Sequence, residues 1–227
     1  MGDNNALRLT SNIVFFILSI AIFILRIIDN DPLNMVVEFE SYALIATILY
    51  YIIMTFMDSL KGKLGDTFDK VIDFFKEKMF KYIWAFEMCA GLGYWLGVCL
   101  GWMRMSGGPL LSIILMYLFH AVIQILLVLD LLFFKHKLDS SFLTDFIVIS
   151  LSYLAYGLFI IIKKYCFKKG GPYDFVNGDF KYVFAVGIVY YMLLLVMYFI
   201  HQLVLMIKNG ISIGKEAINK LANETLV

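Results

Sequence analysis

Leu110 to Phe134 reads LLSIILMYLFHAVIQILLVLDLLFF, an apolar run that is long enough to cross a bilayer as a helix. It carries His120 near its middle, where a charged residue costs about 2.5–3.5 kcal/mol on insertion scales. Tyr117, His120 and Gln124 are spaced at i, i+3 and i+7, so they share one helical face. Because embedded polar groups tend to face a protein interior and to mark function, Tyr117 and Gln124 are candidate substrate-binding residues beside His120.

The composition excludes a soluble domain of ordinary type. Of 227 residues, 62% are hydrophobic and only 16% are charged, which indicates an integral membrane protein. The formal net charge of +1 argues against a nucleic-acid partner. Cys89, Cys99 and Cys166 lack metal-ligand spacing, and the three histidines fall on different elements. We therefore expect neither a metal site nor another cofactor.

The apolar runs predict an all-α, polytopic membrane helix bundle with about six transmembrane helices in a single domain, 1–227. The spans are expected at 13–28, 36–57, 82–102, 110–134, 142–162 and 182–207. Residues 61–81 alternate lysines with acids around an apolar stripe, which predicts an amphipathic helix on the membrane surface. An ordinary solvated helix fits that pattern equally well. Gly93, Gly97 and Gly101 form a small-residue ridge that favours close helix packing.

An even number of spans places both termini on one side of the membrane. Lysine and arginine are more frequent in the segments on that side, so the positive-inside rule favours cytoplasmic termini. The membrane is expected to be that of the endoplasmic reticulum or the plasma membrane.

A serine hydroxyl is a weak nucleophile unless a neighbouring base removes its proton. Ser41, near the start of the second span, is the candidate hydroxyl, and His120 is the candidate base. At 1.5 Å per residue they lie roughly 9 and 16 Å below the same surface, a difference that helix tilt can close. Asp130 is about 15 Å from His120 along the helix, too far for a direct triad. Its expected partner is Lys135 or a neighbouring helix.

Two other embedded ionisable residues, Glu87 and His201, are expected to be structural. The glycine-rich phosphate loops and the Gly-x-Ser-x-Gly motif are absent from the sequence.

The segment FHAVIQILLVLD (Phe119 to Asp130) resembles the fourth-helix signature of the androgen-induced and androgen-dependent family of multi-span hydrolases. In that family a histidine is followed ten residues later by an acid. The hydrophilic link KHKLDSS and Pro172 in GGPYDF resemble the features that follow it. FESY (Phe39 to Tyr42) occupies the place of the family's threonine motif, and Asp58 resembles an aspartate at the end of the same span.

The resemblance implies six spans, cytoplasmic termini and cleavage of fatty-acid esters of hydroxy fatty acids. It implies that Ser41 stands at the position of the nucleophilic threonine and His120 at that of the catalytic histidine. Serine keeps the hydroxyl, whereas Glu40 replaces an apolar residue beside it.

The leading expectation is therefore an intramembrane lipid esterase with a Ser41–His120 dyad, a lipid substrate and the bilayer as its surroundings. A non-enzymatic membrane scaffold or assembly subunit is the main alternative. A small transporter is a further one, although duplicated halves and broken helices are not evident in the sequence.

Overall fold

The computed structural model describes residues 2–29, 39–100, 110–134, 136, 141–166 and 180–225. These residues form six α-helices, so the predicted all-α class is confirmed for the described part of the chain. The helices are α1 (Gly2–Asp29), α2 (Phe39–Leu60), α3 (Asp66–Cys99), α4 (Leu110–Phe133), α5 (Phe142–Cys166) and α6 (Phe180–Thr225).

Among the described residues, four helices are long and apolar enough to cross a membrane, namely in the stretches Ala6–Leu25, Ser41–Leu60, Phe142–Ile162 and Val183–Ile211. A shorter apolar stretch, Ala121–Phe133, lies in α4. Large apolar side chains are exposed along α2, α5 and α6, as expected for helices that contact lipid. The described residues therefore support a membrane protein with several apolar helices.

Helix α3 joins two segments that the sequence pattern separates. The amphipathic segment 61–81 and the third span both lie on this 34-residue helix. It begins after Gly65, whose φ of 94° suits the preceding turn, and neither glycine nor proline occurs again before Gly91. Ile72, Lys76 and Phe80 are buried, so this half of the helix packs against other helices.

Four helices form a ring in the order α1, α2, α3, α4, while α6 packs on the outer side of α3 and α5 packs on α6. The register comes from side-chain contacts. Thr47 contacts Glu87 and Asp58 contacts Lys76, so α2 is antiparallel to α3.

Side-chain contacts between α4 and α3 give the direction of α4. Gln124 contacts Glu87, whereas His136, just beyond the end of α4, contacts Glu77. Helix α4 is therefore also antiparallel to α3, and α2 and α4 run in the same direction. The apolar core fills the ring and includes side chains from each of its four helices, such as Phe15, Leu44, Phe80 and Leu127.

Gly93 allows α6 to approach α3 closely. A Cβ at this position would lie 2.5 Å from Cε1 of Tyr190, and the Tyr190 hydroxyl donates a hydrogen bond to the Gly93 carbonyl at 2.7 Å. The predicted packing role is confirmed for Gly93. Gly101 lies outside the described residues.

We expect Gly93→Ala to destabilise the protein by about 1–3 kcal/mol, because the added methyl group displaces the Tyr190 ring and its hydrogen bond. Unfolding of the purified protein in mixed detergent micelles measures the change. Gly157→Ala is the matched control, since its Cβ meets nothing within 4 Å and alanine favours a helix by up to about 1 kcal/mol. A Gly93→Ala protein as stable as Gly157→Ala would contradict the packing role.

Candidate functional site

Polar side chains from the four ring helices lie at one level inside the bundle. The Thr47 hydroxyl donates to Glu87 Oε1 at 2.8 Å, and Gln124 Nε2 donates to the Glu87 carbonyl at 3.2 Å. Ser19 on α1 is fully buried, and the register of α1 against α2 places it within about one helical turn, 5.4 Å, of Thr47. We call Ser19, Thr47, Glu87 and Gln124 the polar layer.

The polar layer contains buried atoms without a hydrogen-bond partner. Among the described residues, neither Ser19 Oγ nor Gln124 Oε1 has one. A Cβ on Gly91 would lie 2.4 Å from Gln124 Nε2, so the amide in its present position packs directly against the Gly91 backbone. Gln124, a candidate substrate-binding residue, thus keeps a free buried oxygen in the interior of the ring.

Ser41 lies at the edge of the core, about 9 Å from the polar layer along α2 and towards the start of that helix. Its side chain is only 2% exposed, and Oγ has no hydrogen-bond partner in the part of the chain that the structure describes. Helical periodicity places it between the buried Leu44 and two exposed residues, Ile45 at 39% and Ile52 at 42%. The Ser41 hydroxyl is therefore buried next to the outer surface of α2.

His120 and Tyr117 belong to α4, but their side chains lie outside the described residues. Position 120 is about 6 Å along the axis from Gln124, and Ser41 is about 9 Å from Thr47. Both positions are on the same side of the polar layer, at levels that differ by about 3 Å.

Ionisable residues gather on the opposite side of the polar layer. His136 Nε2 lies 3.0 Å from Asp130 Oδ1, and His136 Nδ1 lies 3.3 Å from Glu77 Oε2. Tyr51 on α2 donates to the other oxygen of Asp130 at 3.1 Å. The expected pairing of Asp130 with a neighbouring helix is confirmed, whereas Lys135 lies outside the described residues.

Two further buried ion pairs complete this group. Lys76 donates to Asp58 at 2.8 Å, and the same carboxylate accepts a hydrogen bond from Asn12 on α1. Lys81 pairs with Asp145 on α5. We call this end of the bundle the charged end; its members are Asp58, Lys76, Glu77, Lys81, Asp130, His136 and Asp145.

Asp145 is the most completely satisfied carboxylate of the charged end. Besides Lys81, it accepts hydrogen bonds from the hydroxyls of Tyr82 at 2.7 Å and Tyr198 at 2.8 Å. The sequence did not reveal this site, because Lys81 and Asp145 lie 64 residues apart and belong to different expected segments. A signal was present in the apolar runs themselves, since an acid in the first turn of an apolar helix needs a partner.

The pKa values at the charged end follow from burial and pairing. Burial lowers the pKa of His136, but hydrogen bonds with Asp130 and Glu77 outweigh it, and the pKa is raised above 6.5. Burial lowers the pKa of Lys76 to about 8 despite the nearby Asp58. The two carboxylates therefore favour the protonated form of His136.

Comparison with known proteins gives no relative. No protein-family model matches the chain, and no curated protein or solved structure does so either. The resemblance to the androgen-induced family therefore remains a prediction from the quoted segments. Within the described ranges, no group of three or more histidine, cysteine or acidic side chains has the geometry to hold a metal ion.

We expect the contribution of His136 to stability to be fully present below about pH 6.5 and to be lost as the pH rises through its higher folded-state pKa. The measurement is the unfolding free energy of wild type minus that of His136→Gln, between pH 6 and 9 in detergent. The comparison cancels the opposite trend of Lys76, whose lowered pKa favours the folded state as the pH rises. A difference that stays constant or grows with pH would contradict the assignment.

Removal of one partner from a buried ion pair leaves an uncompensated charge, which costs about 3–5 kcal/mol. We expect a loss of this size for Lys81→Met. Lys61→Met is the matched control, because Lys61 pairs with Asp73 where both side chains are about one-third exposed, and such a pair contributes about 0–1 kcal/mol. Equal effects of the two substitutions on unfolding would show that the Lys81 pair is not desolvated.

Proposed function

We propose that this protein is an intramembrane lipid esterase that hydrolyses fatty-acid esters, with Ser41 as the nucleophile and His120 as the general base. The observation that carries the proposal is the Ser41 hydroxyl, which is buried beside lipid-facing residues and has no partner among the described residues.

The level of His120 is the second support. Along the helix axes, position 120 of α4 is on the same side of the polar layer as Ser41. In the proposed topology, α1, α2, the second half of α3, α4, α5 and α6 supply six spans with cytoplasmic termini. The dyad then lies on one side of the polar layer, in a low-dielectric region where proton transfer between neutral groups avoids a buried net charge.

The reaction proceeds in two proton-balanced steps. His120 takes the Ser41 proton while Oγ attacks the ester carbonyl, and the imidazolium then returns that proton to the departing alkoxide. The product of this step is an acyl-serine and a free alcohol. Water attacks the acyl-serine with His120 as base, the fatty acid leaves, and the serine regains its proton.

Aromatic side chains beside Ser41 form the proposed entrance for acyl chains between α2 and α5. The Tyr42 ring lies 6.0 Å from that of Tyr156 and 6.3 Å from that of Phe159. Tyr42 and Phe159 are both exposed towards the outside of the bundle. Phe39 packs against Tyr156 at 5.1 Å on the inner side. Such rings offer a long acyl chain an apolar path from the bilayer to Oγ.

The test uses purified protein in nanodiscs with a fluorophosphonate probe and a long-chain fatty-acid ester of a hydroxy fatty acid. We expect Ser41→Ala to abolish both labelling and turnover, because the nucleophilic oxygen is removed. Loss of a catalytic hydroxyl or its base lowers the rate by several orders of magnitude in serine hydrolases, so His120→Ala should lower turnover by at least about 100-fold.

Ser19→Ala is the matched control, since Ser19 is also a buried serine with an unpaired hydroxyl but lies in the polar layer. It should retain labelling and turnover within about twofold. Activity that persists in both Ser41→Ala and His120→Ala, or that is lost in Ser19→Ala instead, would contradict the proposed dyad. Absence of turnover in the wild-type protein with every ester tested would favour the scaffold alternative.

A further inference from the structure

His201 on α6 is a buried histidine whose hydrogen-bonding capacity is unused. It is 2% exposed, and among the described residues neither ring nitrogen has a hydrogen-bond partner. The ring packs between Phe80 and Trp84, with centroid distances of 5.8 and 5.4 Å. A buried polar group without a partner is unfavourable because it has lost its hydrogen bonds to water, so two such nitrogens on one ring are a substantial local deficit.

Trp84 on α3, next to His201, is a second buried ring with an unused hydrogen-bonding group. It is 4% exposed, and its indole N–H also lacks a partner within the described ranges. One turn away, the hydroxyl of Tyr198 donates to Asp145, so polar groups around this place are otherwise satisfied. Two adjacent rings with three unused nitrogen atoms therefore point to a group that the protein itself does not provide.

The three nitrogens define the chemistry of that group. The indole offers one donor, and a neutral imidazole offers one donor and one acceptor. A carboxylic acid satisfies two of the three nitrogens, since its carbonyl oxygen accepts from the indole N–H and its hydroxyl donates to the acceptor nitrogen of the imidazole. Transfer of the acid proton to the imidazole gives an ion pair with the same zero net charge. Neither form buries an unbalanced charge, which is the condition for a site in a low-dielectric core.

The surroundings select an acid with a long apolar chain. Met88, Leu127 and Leu205 belong to the same buried core as Trp84. The exposed Phe199 and Leu203 lie on the opposite face of α6 from His201 and do not line the site. A ligand that reaches the two rings from the bilayer must bury its chain among apolar side chains. We propose that His201 and Trp84 bind the carboxyl group of a long-chain fatty acid.

This site is separate from the proposed dyad. His201 lies towards the charged end, on the opposite side of the polar layer from Ser41, as its contacts with Phe80 and Trp84 place it. Fatty-acid binding here requires no turnover, so Ser41→Ala should bind with wild-type affinity. Failure of either proposal leaves the other untouched.

Quenching of Trp84 fluorescence by a dibrominated fatty acid tests the site directly. The background carries Trp95→Phe and Trp102→Phe, which leaves Trp84 as the single tryptophan. Protein in nanodiscs is titrated with the dibrominated acid, the matching alcohol and the matching methyl ester. We expect saturable quenching by the acid, weaker binding of the alcohol, and at least about tenfold weaker binding of the methyl ester, which lacks a donor for the imidazole.

His201→Phe is the informative variant, because an apolar ring fills the same space and removes the unpaired nitrogens. It should fold at least as stably as the parent protein while binding the acid at least about tenfold more weakly. His201→Gln, which retains a donor and an acceptor, should bind between the two. Phe199→Leu, on the lipid-facing side of α6, is the control and should bind the acid as the parent does.

Three results would overturn the proposal. One is equal quenching by the acid and its methyl ester, which indicates ordinary partitioning into lipid. Another is unchanged acid binding in a folded His201→Phe protein. The third is quenching that does not saturate in the parent protein, in which case water alone satisfies these nitrogens.

Discussion

Buried ion pairs along the first half of α3 determine how the other helices are placed. Lys76 pairs with Asp58 of α2, Glu77 reaches His136 beyond α4, and Lys81 pairs with Asp145 of α5. Each pair joins α3 to a different neighbour, and each is specific in register because a shift by one residue rotates a partner away by about 100°. Apolar packing alone, which tolerates many registers, does not define the bundle in this way.

The register set at the charged end extends to the rest of the ring. Because α3 is continuous, the spacing from Lys76 to Glu87 fixes the level at which Thr47 and Gln124 meet Glu87. The same register brings Ser41 and position 120 to one side of the polar layer. The proposed dyad therefore depends on contacts about 25 Å away along the helices.

The sequence predicts the elements better than the contacts between them. Long apolar runs predict α2 and α5 closely, because length and hydropathy are local properties, whereas α6 continues to Thr225, well beyond the predicted end at 207. The continuity of α3 was missed, since the change from charged to apolar composition near Lys81 suggests a boundary although no helix-breaking residue lies there. The partners of Asp130 and Asp145 depend on which helices become neighbours, and neither periodicity nor spacing contains that information.

The continuity of α3 is the claim on which the register depends, and one distance tests it. Spin labels are placed at Val71 and Leu92, both exposed on α3, after replacement of the native cysteines. For one straight helix, 21 residues at 1.5 Å each predict a single narrow distribution in nanodiscs, centred near 31 Å between backbone positions. If 61–81 instead turned to lie flat on the membrane, the distance would fall to about 22 Å, which would contradict the continuous helix and the register built on it.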